Sequence, residues 1–156
     1  MTVWLALALA PLLAQANAAT VLSVGDGDSL RLRRGDTQLK VRLACIDAPE
    51  LRQRPEGERA RQALQALLPV GSGVAVRRLA TDRYGREVVE LSHRGRNVNQ
   101  ALVARGAAFV YWAYIRGCDR QTYGRLETQA RLQRLGVWAT PGGLLRPWEL
   151  RARSRR

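Results

Sequence analysis

The chain has 156 residues, 26 Lys+Arg against 13 Asp+Glu, one His and a formal net charge of +13. At this length one domain with a real core is expected, and 46% apolar with 25% charged residues excludes global disorder. The single histidine, His93, sits in a Ser92-His93-Arg94-Gly95 turn, so Ser-His-Asp and Cys-His systems are excluded, and two scattered cysteines exclude a zinc cluster.

Residues 1–18 carry no charged side chain, and an apolar run over 4–14 leads to Ala16-Asn17-Ala18, an A-x-A cleavage pattern. A bilayer-spanning helix needs about 20 apolar residues, and this run is shorter. The expectation is a signal peptide over residues 1–18, a mature chain from Ala19 that is secreted or periplasmic, and no stable membrane association after cleavage. The other reading is an uncleaved anchor. Export permits a disulfide, and Cys45 with Cys118 makes an even count. A bridge between them would tie a strand end to the loop before the last helix; two separate buried thiols are the alternative.

Residues 20–24 read as a strand, Gly25-Asp26-Gly27-Asp28 as a turn, and 29–33 as an alternating strand. Arg34-Gly35-Asp36 reads as a hairpin turn before a third strand over 38–46, which Pro49 ends. Residues 56–68 read as a helix, with Ala60, Ala63, Leu64 and Leu67 on one face and Pro69 as its stop. Strands follow over 73–79 and 86–92 around a Tyr84-Gly85 turn. Asn97 caps a short helix closed by Gly106. Residues 107–112 are apolar and extended, and 121–135 form the last helix, stopped by Gly136.

This order predicts an α+β protein: a five-stranded OB-type Greek-key barrel with three α-helices, filling residues 19–140. An open α+β sheet is the alternative. Residues 141–156 read as a basic Gly/Pro/Arg-rich tail that Trp148 could anchor by packing.

Any catalysis must rest on carboxylates, arginines, tyrosines or a hard metal. Asp26-Gly27-Asp28 offers two carboxylates at a glycine turn, a ligand type for Ca²⁺ or Mg²⁺. Asp47-Ala48-Pro49-Glu50 follows the third strand. If strands two and three pair, Asp28 faces Asp47, and Glu50 is left to act on a water. Arg42 and Arg86 supply the positive charge that phosphoryl transfer requires near such a site. Tyr111, Trp112, Tyr114 and Tyr123 cluster ahead of and within the last helix, where aromatics beside a basic groove stack nucleobases or fill a core.

The ordered blocks Val24-Gly25-Asp26-Gly27-Asp28-Ser29, Val41-Arg42-Leu43-Ala44-Cys45-Ile46-Asp47-Ala48-Pro49-Glu50 and Thr81-Asp82-Arg83-Tyr84-Gly85-Arg86 resemble the staphylococcal nuclease family. So do Val98-Asn99-Gln100-Ala101-Leu102-Val103-Ala104-Arg105-Gly106 and the stretch from Ala108-Phe109-Val110-Tyr111 to Trp138. The resemblance implies a Ca²⁺-dependent phosphodiesterase of DNA and RNA that leaves 3′-phosphate ends, in a monomeric OB-type barrel. It implies Asp28, Asp47 and the backbone carbonyl of Ala48 as calcium ligands, and Glu50 as general base or water-orienting group. Arg42 and Arg86 would be the phosphate-binding arginines, with Tyr114 and Trp112 lining the nucleotide pocket. Ala48 and Ser29 stand where the best-known member has threonines, and the basic loop after Glu50 is shorter. The competing readings are a non-catalytic nucleic-acid-binding OB-fold module and a cationic membrane-active protein, the latter needing an amphipathic basic helix.

Overall fold

In β1 (Ala18–Val24), β2 (Ser29–Arg34) and β3 (Thr37–Leu43), alternate side chains turn inward. Val21, Leu30, Leu32, Val41 and Leu43 are buried, while Arg31 and Arg33 face solvent. This is the period-two burial of a sheet with one wet face. The computed structural model describes residues 17–156, so the expected signal peptide lies, apart from its last two residues, outside the described part.

The hairpins β1–β2 and β2–β3 are antiparallel, and β1 pairs on its other side with β5 (Gly73–Thr81). Next comes β6 (Glu87–His93), antiparallel to β5. Parallel pairing of β6 with β3, Val41 opposite Glu87, then closes the five strands into the expected barrel. The short β7 (Arg96–Asn97) extends the sheet from β6.

The third strand ends earlier than its pattern suggests. Cys45 has a positive φ of 66°, and the chain turns there. Ile46–Asp47 becomes a separate two-residue strand, β4, paired with β8 (Phe109–Val110). Cys45 is bonded to Cys118 (S–S 2.11 Å), which ties this kink to the loop preceding the third helix.

Helix α1 (Glu56–Leu67) buries Gly57, Ala60 and Leu64. Helix α2 (Val98–Ala104) starts where the Asn97 side chain accepts a hydrogen bond from the Gln100 N–H, and α3 (Arg120–Leu132) starts at Asp119 in the same way. The α3 helix stops three residues short of the sequence expectation.

Among the described residues the structure adds a fourth helix to the three expected. It is α4 (Pro147–Arg153), inside the stretch read as a tail, with Pro147 in its first turn. Trp148 anchors it, stacked on Tyr111 with ring centroids 5.0 Å apart and edge-on to Phe109 at 6.0 Å. Phe109, Ala130, Val137 and Trp138 form a second, smaller core beneath it.

Candidate active site

The β1–β2 turn is built by Asp26. Its Oδ1 accepts hydrogen bonds from the N–H groups of Asp28 (3.0 Å) and Ser29 (2.8 Å) and from the Ser29 hydroxyl (2.7 Å). Asp26 is thereby occupied with the turn itself, and Asp28 is the carboxylate aimed into the protein. Gly27 has no room for a side chain, because a Cβ there would lie 2.7 Å from the Cβ atoms of Ala48 and Ala60. The turn is thus pressed against both α1 and the segment that follows β4.

That close approach sets Asp28 in place. Its Oδ2 accepts a 2.7 Å hydrogen bond from the Ala48 N–H and pairs with Arg42 Nη1 at 2.8 Å. The other arm of Arg42, Nη2, lies 3.0 Å from Asp47 Oδ1. One guanidinium therefore bridges the two aspartates. The β2–β3 register explains the meeting: Ser29 lies opposite Arg42, and the Leu43 N–H donates to the Asp28 carbonyl. The Cys45 turn and the β4–β8 pairing then carry Asp47 back to the same end of the barrel.

Glu50 is fixed by its backbone. Its N–H donates to Gln53 Oε1 (2.9 Å), and a Cβ on Gly57 would come within 2.1 Å of its carbonyl oxygen. Only glycine lets α1 pack there. The Glu50 side chain stays 31% exposed, open to solvent, whereas that of Asp47 is 1% exposed.

A residue not foreseen from the sequence completes the cluster. Arg151 of α4 grips Asp47 with Nη2 on Oδ2 (2.6 Å) and Nη1 on Oδ1 (3.2 Å), and Nη1 also reaches Glu50 Oε1 at 2.7 Å. Pro147 beside Arg146-Trp148-Glu149 is a helix-start signal that could have revealed α4, but nothing in the sequence says where its arginines land.

Three carboxylates thus face two guanidinium groups. The Asp28 carboxyl is raised to about 8: burial is the largest cause and outweighs the pull of Arg42, while Asp26 and Asp47 push in the same direction as burial. Burial disfavours the charge on Arg42, but Asp28 and Asp47 outweigh it and raise its pKa. Arg151 is likewise raised, its hydrogen bonds to Asp47 and Glu50 outweighing burial.

Arg86 is held by its own turn. Its Nε lies 2.7 Å from Asp82 Oδ2, and its guanidinium packs 5.5 Å from the Tyr84 ring centroid. Asp82 also accepts from the N–H groups of Tyr84 and Arg86. Because β6 runs parallel beside β3, this turn borders the strand that carries Arg42. Tyr114 and Trp112 lie on a 3-10 turn (Trp112–Tyr114) after β8, 67% and 40% exposed. Trp112 packs toward α3, its Nε1–H donating to Glu127 (3.0 Å), whereas Tyr114 leans on Tyr111 at 4.7 Å.

A family model described as staphylococcal nuclease homologue matches residues 40–140. The chain belongs to the staphylococcal nuclease family. The match begins within β3, so Asp28 precedes it. Among curated relatives, a protein of Escherichia coli named Protein ParB is 40% identical, over 86% of this chain and 78% of its own length. A Shigella flexneri protein named micrococcal nuclease is 38% identical, over 86% of this chain and 80% of its own. An uncharacterized endonuclease of Haemophilus influenzae is 33% identical, over 79% and 67%.

Family membership implies a calcium ion, and the residues present suit one. The donors are hard oxygens, the carboxylates of Asp28 and Asp47 on either side of one guanidinium, which is the ligand chemistry of Ca²⁺ and Mg²⁺. Among the described residues no three acidic, histidine or cysteine side chains converge into a preformed cage. The carboxylates are instead distributed over the two arginine forks.

Proposed function

We propose that this chain is an exported, monomeric, Ca²⁺-dependent nuclease that hydrolyses phosphodiester bonds of DNA and RNA and leaves 3′-phosphate ends. The observation that carries this reading is the bridging of Asp28 and Asp47 by Arg42, beside a half-open Glu50, at one end of the barrel. The naming of relatives as nucleases and the net charge of +13 support a polyanionic substrate.

Asp28, Asp47 and the Ala48 carbonyl would hold the cation, which when bound neutralises charge on a phosphate oxygen. Glu50 orients a water and takes its proton as the water oxygen bonds to phosphorus. The bond from phosphorus to the 5′-oxygen breaks, and that oxygen leaves as an alcohol protonated from solvent, to which Glu50 returns its own proton. Arg42 and Arg86 donate to the non-bridging oxygens, where charge grows in the transition state. Tyr114 and Trp112 offer ring faces to the nucleotide. Export rests on the apolar start of the chain with its A-x-A pattern, and the Cys45–Cys118 bridge supports an oxidising compartment.

The test is digestion of single- and double-stranded DNA and of RNA by the mature chain with Ca²⁺, Mg²⁺ or EDTA, followed by end-group analysis. Cleavage with Ca²⁺, abolished by EDTA and leaving 3′-phosphates, is expected. Salt-sensitive binding without cleavage under any metal would instead assign a nucleic-acid-binding module.

A further inference from the structure

Arg151 is the member of the cluster for which the proposed chemistry has no use. Its guanidinium takes both oxygens of Asp47 and one of Glu50. Asp47 is almost wholly buried, and among the described residues every side-chain donor on it is a guanidinium, Arg42 on one oxygen and Arg151 on both. Arg151 Nη2 takes one lone pair of Oδ2 at 2.6 Å and sets a full positive charge beside it, so a divalent cation at the same oxygen meets direct charge repulsion.

The two arginines are not equally free to yield. Arg42 rises from a barrel strand and its side chain is 15% exposed; that of Arg151 is 35% exposed, on a seven-residue helix near the chain end. The helix is nonetheless deliberately docked. Trp148 stacks on Tyr111, Gln53 Nε2 donates to the Leu145 carbonyl (2.8 Å), and Arg52 Nη1 donates to Ser154 Oγ (3.0 Å). The last two contacts tie the segment to the loop that follows Glu50, so the helix and the carboxylates are held as one unit.

We propose that Arg151 is a further functional residue of the cation site: a tethered counter-ion that neutralises Asp47, holds Glu50 beside it and competes by its charge with the divalent cation. This rests on the cation reading above. In it, Arg151 sets the affinity of the site by competition and keeps Asp47 and Glu50 from repelling each other when no cation is bound. A guanidinium cannot become a ligand itself, so its effect on cation binding is one of opposition.

The experiment is Ca²⁺ titration calorimetry, without nucleotide, on the mature chain, Arg151→Gln, Arg151→Lys and Arg153→Gln. Arg153 is exposed on the same helix, so its variant removes an equal charge while leaving the fork on Asp47. Arg151→Gln should bind Ca²⁺ about fivefold to thirtyfold more tightly, the size of a coupling between two groups sharing a site. Arg151→Lys should fall between it and the parent, and Arg153→Gln should stay within about twofold, as for a screened surface charge. Unchanged or weaker binding in Arg151→Gln, or an equal gain in Arg153→Gln, overturns the role of Arg151. Absence of Ca²⁺ binding in every protein overturns the cation reading itself.

Discussion

Glu90 and Asp47 are both buried carboxylates paired with arginine, at different places on the same barrel. Glu90 accepts from Arg77 Nε (3.0 Å) and Nη2, from the Tyr123 hydroxyl (2.5 Å) and from Asn97 Nδ2 (3.1 Å). Its partners come from β5, α3 and the start of α2, so it ties three elements together. Burial first, then the hydrogen bond to Glu90, raises the Tyr123 hydroxyl well above its ordinary range, so it remains a donor. Asp47 and Glu50, in contrast, are held on their side chains, among the described residues, by guanidinium groups alone. Neutral donors at Glu90 cannot be exchanged without breaking the fold, while a guanidinium gives way to another cation at modest cost. The difference separates a carboxylate committed to structure from carboxylates kept available for chemistry.

The largest effect that would sharpen this contrast is at Glu50. Glu50→Gln should lower turnover by about 10²–10⁴, the scale of a lost general base, with little change in Ca²⁺ affinity or melting temperature. A variant that unfolds would place Glu50 with Glu90 as a structural group. Next is Arg86→Ala, for which we expect a loss of turnover of about 10²–10³ while DNA binding in a filter or anisotropy assay persists. Normal turnover in that variant would leave Arg86 with Asp82, as part of a turn.

A smaller effect is expected at the other cluster. Glu90→Gln should cost about 2 kcal/mol of stability in urea unfolding, because the amide cannot accept all four hydrogen bonds. Its Ca²⁺ affinity should match the parent. An intact melting curve with impaired Ca²⁺ binding would reverse the roles of the two clusters.

The smallest effect concerns the turn that holds Arg86. Burial pushes the Asp82 carboxyl up, but hydrogen bonds from the Arg86 backbone and side chain and from the Tyr84 N–H outweigh it and keep it below its ordinary 3.8. A carboxylate lowered on folding contributes stability above its unfolded pKa and loses it as pH falls through the folded one. Asp82→Asn should therefore flatten the acid limb of the stability–pH curve below about pH 4, with a change at pH 7 of about 0.5–1 kcal/mol. An unchanged acid limb would remove Asp82 as the anchor of Arg86.

Much of the barrel was legible because its strands obey a period of two and its helices have caps and stops. Asn97, Gly106 and Pro69 mark boundaries the structure keeps to within a few residues. The strand β8 lies within the stretch read as extended over 107–112, but β4 was not legible as a separate strand, since Ile46-Asp47 is too short for any period and depends on the left-handed turn at Cys45. In the site, the approach of Asp28 to Arg42 follows from the β2–β3 hairpin register, which local sequence specifies, while the final placing of Asp47 also needs the Cys45 turn and the β4–β8 pairing. Arg151 was not legible: it lies 101 residues from Glu50, and its partner is chosen by how Trp148 packs, a tertiary matter. The pairing of Arg86 with Asp82, four residues away in the chain, was not read from the sequence.

Calcium calorimetry on the parent, Asp28→Ala and Glu90→Gln tests the distinction between the two clusters most directly. The account predicts one site in the parent and in Glu90→Gln with similar affinity, and none in Asp28→Ala while that variant still melts cooperatively. Binding that survives Asp28→Ala, or disappears in a folded Glu90→Gln, would contradict it.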